Sequence, residues 1–141
     1  MTREAAVSKM FEQAIASSKR RDDWAATVRN FDHAVDGVAC NLHFKVQLIW
    51  QRTSTAARIS GECFVFLSSP GEGDLVGGCG WVHFGVSEAG ARGAWRLFEM
   101  AFDEAVAELR SKPEFAARSE SVALGFACRA ATSSPTRPAR L

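Results

Sequence analysis

The chain contains no tyrosine, no Cys-x-x-Cys pair, no long apolar run and no marked excess of charge of either sign. Nothing in the composition accounts for ten Phe and four Trp beside no Tyr. The other gaps each exclude something. The four cysteines stand singly at positions 40, 63, 79 and 128, without the pairing that a zinc knuckle or a dithiol redox site requires. They are expected to be small buried hydrophobes in a reducing compartment. No stretch approaches the ~18 apolar residues of a membrane span. The opening MTREAAVSKMFEQAI lacks the apolar centre of a secretory signal. The expected location is therefore cytoplasmic, with no membrane partner.

The formal charge is +1, and the last thirteen residues hold Arg129, Arg137 and Arg140 without an acid. Removing them leaves fourteen basic against sixteen acidic residues in the body. Binding to a nucleic-acid backbone needs clustered Lys and Arg, so that partner is not expected. No Gly-x-Ser-x-Gly, His-Glu-x-x-His or Walker A pattern occurs. Catalytic residues, cofactors and a resident metal are accordingly not expected.

What is present is a strand signal of unusual length. From Val38 to Gln51, Val38, Cys40, Leu42, Phe44, Val46, Leu48 and Trp50 alternate with Asn41, His43, Lys45 and Gln47. Period two marks a strand with one buried and one wetter face. Ala56–Leu67 and Leu75–Ser87 follow the same rule. In the first, Cys63, Val65 and Leu67 oppose Glu62, Phe64 and Phe66. In the second, Val82 and Phe84 oppose Trp81 and His83. The polar turn at residues 52–55 and the loop SSPGEGD separate the three strands.

Helical spacing frames them. Val7, Met10, Phe11, Ala14 and Ile15 predict an amphipathic helix from Thr2 to about Arg21. Asp22 or Asp23 could cap a second helix, over which Trp24, Val28, Phe31 and Val35 recur before Gly37 as a stop; an extended lead-in is the alternative for residues 28–35. Ser87–Arg110 carries an unbroken stripe through Trp95, Phe98, Ala101, Phe102, Ala105 and Leu109. Ser87 serves as its cap and Lys112-Pro113 as its end. Val122, Leu124, Phe126 and Cys128 alternate with small residues and suggest a last, weak strand. Residues 131–141 read as a disordered Pro/Ser/Thr/Arg tail behind a single domain spanning 1–130. The expected fold is α+β: an antiparallel three- to four-stranded sheet, one or two N-terminal helices, and a long C-terminal helix packed on one face.

Two histidines and a carboxylate, His43, His83 and Glu62, share the wetter face. A turn centred between Thr53 and Ser54 sets Lys45 opposite Glu62 as an ion pair, and His43 opposite Phe64. His83 then falls near Arg58 or Ser60, well over ~10 Å from His43, too far for a shared metal. Cys40 and His43 point to opposite sides of one strand, and Cys79 and His83 lie about 13 Å apart along another, so neither makes a nucleophile pair. Gly77-Gly78-Cys79-Gly80 lacks the Lys and Ser/Thr of a phosphate loop and reads as a strand built for close approach.

The remaining feature is the wetter face, where Phe64, Phe66, Trp81, His43 and Ile49 lie among Lys45, Gln47, Arg58 and Glu62. Aromatics among a few charges are how interfaces look. The expected function is a non-catalytic interaction module that binds a second copy or another protein, with Phe64, Phe66, Trp81, His43 and Lys45 as candidate residues. If the first helix covers this face, that expectation fails. The alternatives are a carrier holding a small apolar ligand between the sheet and the C-terminal helix, and a small enzyme of unspecified type.

Overall fold

A computed structural model describes residues 2–20, 25–52, 57–70, 75–90 and 92–132. The chain is α+β. Its elements are α1 (Arg3–Arg20), β1 (Ala25–Val35), β2 (Val38–Arg52), β3 (Ala57–Ser69), β4 (Val76–Gly85), a 3-10 turn (Val86–Ala89), α2 (Gly93–Arg110) and α3 (Pro113–Thr132). The strands form one antiparallel sheet in chain order, β1-β2-β3-β4. Among the described residues no helix is long and apolar enough to cross a membrane.

The alternating pattern of β2 decides which face is buried. Leu42, Phe44, Val46 and Leu48 are fully buried, as are Cys63, Val65 and Leu67 across the ladder. Both α1 and α2 lie on this face. The Phe11 ring of α1 sits 6.1 Å from Phe44 and 5.3 Å from Phe84. The Phe98 ring of α2 meets Phe44 edge-on at 5.0 Å. Phe44 thus joins both helices to the middle of the sheet. Burying each such ring contributes on the order of 2–3 kcal/mol before chain entropy is counted.

The glycines of β4 fix how α2 sits. A Cβ on Gly80 would lie 1.9 Å from the Ala101 carbonyl oxygen, and one on Gly78 would lie 2.5 Å from the Ala105 oxygen and the Leu109 nitrogen. The helix backbone rests directly on the strand, which is the close approach that the glycine run implied.

Three sequence expectations are corrected here. Residues 25–35 form strand β1, so the helix is wrong and the extended alternative for residues 28–35 holds, and they pair with β2 from Ala25↔Leu48 to Val35↔Val38. The link is a two-residue turn with Asp36 at φ 51° and Gly37 at φ 79°. An Asp-Gly pair with both φ positive is the mirror-image turn that matches strand twist, so Gly37 closes a hairpin instead of stopping a helix. Residues 121–128 lie within α3, not in a last strand. That helix opens with Pro113, which is favourable at a first helical position. It is anchored by the buried Phe115 and by Arg118, whose guanidinium donates to the Ser69 carbonyl at 2.7 Å and hydroxyl at 3.1 Å. The third correction concerns α2, which starts at Gly93 behind the 3-10 turn, so Ser87 is not its cap. The Asp22/Asp23 cap, the turn at 53–56, the loop at 71–74 and the tail from 133 onward lie outside the described residues.

The hairpin tip is tied to α2 by a two-pronged ion pair. Arg110 donates from Nε to Asp36 Oδ2 at 3.0 Å and from Nη2 to Asp36 Oδ1 at 2.8 Å. This bond and the guanidinium charge hold the Asp36 carboxyl below its usual range. A carboxylate with a depressed folded-state pKa stabilises the fold above the unfolded value, near pH 4, and that contribution is lost as pH falls through the folded value. Asp36→Asn keeps a residue that tolerates positive φ but removes the charge. It should lower Tm slightly at pH 7, by an amount that shrinks in high salt because the pair is solvent-exposed. Thermal melts should show the difference shrinking as pH falls below about 4, through the depressed folded-state value. A difference that persists undiminished there would mean that Asp36 acts through the turn alone.

Candidate interaction surface

The sheet face turned away from both helices carries every candidate residue singled out from the sequence. The ladder sets them in rows across the strands. Val28 (β1), Lys45 (β2), Phe64 (β3) and Trp81 (β4) form one row. Asn30, His43, Phe66 and Cys79 form the next, and Ala26, Gln47, Glu62 and His83 the row on the other side. Among the described residues α1 does not reach this face. It crosses the opposite one, with Thr27 donating its hydroxyl to the Met10 carbonyl at 3.1 Å.

The centre is aromatic. Phe64 lies 4.3 Å from Trp81 between ring centroids, tilted by 41°, and stacks on Phe66 at 6.4 Å. Phe64 and Phe66 are half-buried, while Trp81 is 49% and Val28 53% exposed. The polar groups around them are partly pre-ordered. Asn30 Oδ1 bonds the His43 ring at 3.0 Å, and His83 Nδ1 lies 3.3 Å from Glu62 Oε1. When His83 is protonated that contact becomes an ion pair.

The predicted partners of Lys45, His43 and His83 are corrected by the register. Lys45 faces Phe64, not Glu62; His43 faces Phe66, not Phe64; and Glu62 takes His83 as its cross-strand neighbour. A two-residue slip leaves each side chain on its face and changes only its neighbour. His43 and His83 remain four positions and two strands apart, since His43 aligns with Phe66 and Cys79. Among the described residues no cluster of His, Cys, Asp or Glu is placed to hold a metal ion.

The three described thiols offer little chemistry. Burial pushes Cys63 up to about 12, and it also raises Cys40. Cys79 is raised by burial and then by Glu108, whose carboxylate lies 3.6 Å from its sulfur, and by Glu104. Raised thiols are poor nucleophiles at neutral pH. Between β4 and α2, where a carrier would hold its ligand, the helix backbone rests on Gly78 and Gly80, and a groove runs beside that contact between Val82, His83, Leu97 and Met100. Two further concavities among the described residues are open grooves. One runs between the hairpin and α2, past His33, Asp36, Phe102 and Arg110. Another lies where α3 passes the start of β4, between Phe66, Leu75, Lys112 and Arg118.

Val28 was missed by the sequence reading because its segment fits helical spacing. The Asp36-Gly37 pair was the signal that could have placed it on this face. Comparison with protein-family models, curated proteins and solved structures finds no match for this chain, so its surface and chemistry are the only guides to what it does.

Proposed function

We propose that the protein is a non-catalytic interaction module that self-associates through the open face of its sheet, with Phe64, Phe66 and Trp81 at the centre and His43 and Lys45 beside them. The observation that carries this reading is the aromatic row itself. A half-exposed Trp is braced by a Phe on the face opposite both packing helices. Monomers seldom leave such rings in contiguous open patches, and aromatic centres with polar rims mark interfaces.

Size and charge fit a second copy. Four strands at ~4.8 Å spacing and about nine residues at ~3.4 Å give a footprint on the order of 600 Å². That approaches the roughly 800 Å² per partner of a standard stable interface. Lys45 and Glu62 sit one row and one strand apart, so a two-fold axis along the strands brings each within diagonal reach of its opposite charge on the other copy.

Sedimentation velocity on the wild-type chain should show an oligomer. Trp81→Glu should weaken it by at least about tenfold, since a charge is buried against an apolar surface. Its circular dichroism should be unchanged, because the Trp81 side chain is half-exposed in the monomer. A wild-type chain that stays monomeric at high concentration removes the reading.

A further inference from the structure

We propose a second self-contact, made helix against helix, in which α2 of two copies pairs antiparallel about Met100. It uses the layer opposite the aromatic patch, so it stands or falls separately from the reading above.

One row at a spacing of four, Arg92, Arg96, Met100, Glu104 and Glu108, winds from the outer side of α2 at Arg92 toward the edge of β4 at Glu108. Its position is fixed at both ends of the helix. Arg96 and Met100 flank a groove over Val82 and His83 of β4. Glu108 reaches round the same strand to Cys79, and Glu104 lies close enough to act on that thiol. The row therefore reaches the free edge of the sheet, where among the described residues no strand pairs with β4. Met100 is 49% exposed at its midpoint. Among the described residues Arg96 and Glu104 have no ion-pair partner in their own chain. Glu108 has Lys112 at 3.9 Å, a loose contact.

The row is self-complementary. In an antiparallel pair centred on Met100, residues equally far from position 100 face each other. Arg96 then meets the second copy's Glu104, and methionine meets methionine on the axis. A two-fold axis makes every such contact twice. Rows at a spacing of four are also the ridges that interdigitate in the commonest class of helix packing.

The seam is helical and does not continue the sheet. Two packed helices need 8–10 Å between axes. Because α2 rests on Gly78 and Gly80, that separation holds the two β4 edges farther apart than the ~4.8 Å of a ladder.

Charge reversal tests this without touching the core. Native mass spectrometry and sedimentation velocity would compare Arg96→Glu, Glu104→Arg, the double variant, and an equimolar mixture of the two single variants. Each single variant sets like charges opposite one another and should weaken one association step by on the order of tenfold or more. The double variant should regain it. The mixture should form a one-to-one heterodimer, because every facing pair is then opposite in sign. Singles that associate like wild type overturn the seam. So does a double variant or mixture that fails to recover. Trp81→Glu, run in parallel, separates the two proposals. If it alone abolishes association and the charge variants do nothing, the sheet face stands and the seam falls. If the charge variants act and Trp81→Glu does not, the seam stands alone. A wild-type monomer removes both.

Discussion

Gly80→Ala should destabilise the protein by about 2–3 kcal/mol, although alanine is ordinarily no worse than glycine in a strand. The new methyl carbon would sit 1.9 Å from the Ala101 carbonyl oxygen and 3.0 Å from the Ala105 nitrogen. Both atoms belong to helix backbone, so no rotamer change relieves the overlap. α2 must lift or slide by more than an ångström, which opens gaps under Leu97, Ala101, Ala105 and Leu109, all buried. The entropy lost from the unfolded chain favours the variant by only ~0.4–1 kcal/mol, so overlap wins.

Gly78→Ala meets the same helix one turn on, at 2.5 Å from the Ala105 oxygen and the Leu109 nitrogen. Once α2 has lifted for one methyl group, the second costs less. The double variant should therefore fall short of the sum of the singles, as expected of sites that share one structural response. Urea midpoints for the three variants measure this directly. Unchanged midpoints would show that α2 does not sit on these glycines. Additive losses would show that it yields locally and not as a body.

Phe44→Ala should cost about 3–5 kcal/mol, a large part of the total stability of a chain this size. The ring is fully buried and contacts a ring from each packing helix, Phe11 of α1 and Phe98 of α2. Truncation leaves a cavity that neither helix can fill without losing its other contacts, since Phe11 is also held against Phe84, and Phe98 against Trp95 at 4.9 Å. The same truncation at Trp95, which is half-buried at the rim of α2, should cost clearly less. Chemical denaturation of both variants would rank them. Equal losses would place Trp95 in the core, and a small loss at Phe44 would mean that the two helices are held to the sheet by something else.

Both predictions rest on features that were partly written in the chain. The faces of β2, β3 and β4 were legible because period two assigns each side chain to one side, whatever the register. That is why Phe64, Phe66, Trp81, His43 and Lys45 fall on one surface even though Lys45 faces Phe64 and not Glu62. Register is set by the turn. The residues at the turn limit it to a few choices, and a slip of two leaves the pattern of faces unchanged.

Two segments were ambiguous for a physical reason. Val28, Phe31 and Val35 sit at spacings that a helix face accepts, and β1, lying at the sheet edge, has too mixed an inner side to show alternation. It carries Thr27, Arg29, Phe31, His33 and Val35 toward the helices. Only the two positive φ values at Asp36 and Gly37 resolve it, through the hairpin. Residues 121–128 alternate apolar with Ala, Ser and Gly, but alanine-rich sequence favours helix once Pro113 has opened one and Phe115 has anchored it.

Sequence by itself determined the α+β class, the long central strands, the two main helices and the identity of the buried face, because local periodicity and side-chain volume are enough for those. Tertiary structure alone decided that α1 and α2 share that face. A helix stripe specifies that it must be buried, but not against which side of the sheet. The aromatic row stays open only because both helices chose the other side, and the charged row of α2 reaches the sheet edge only because the glycines of β4 let the helix settle there.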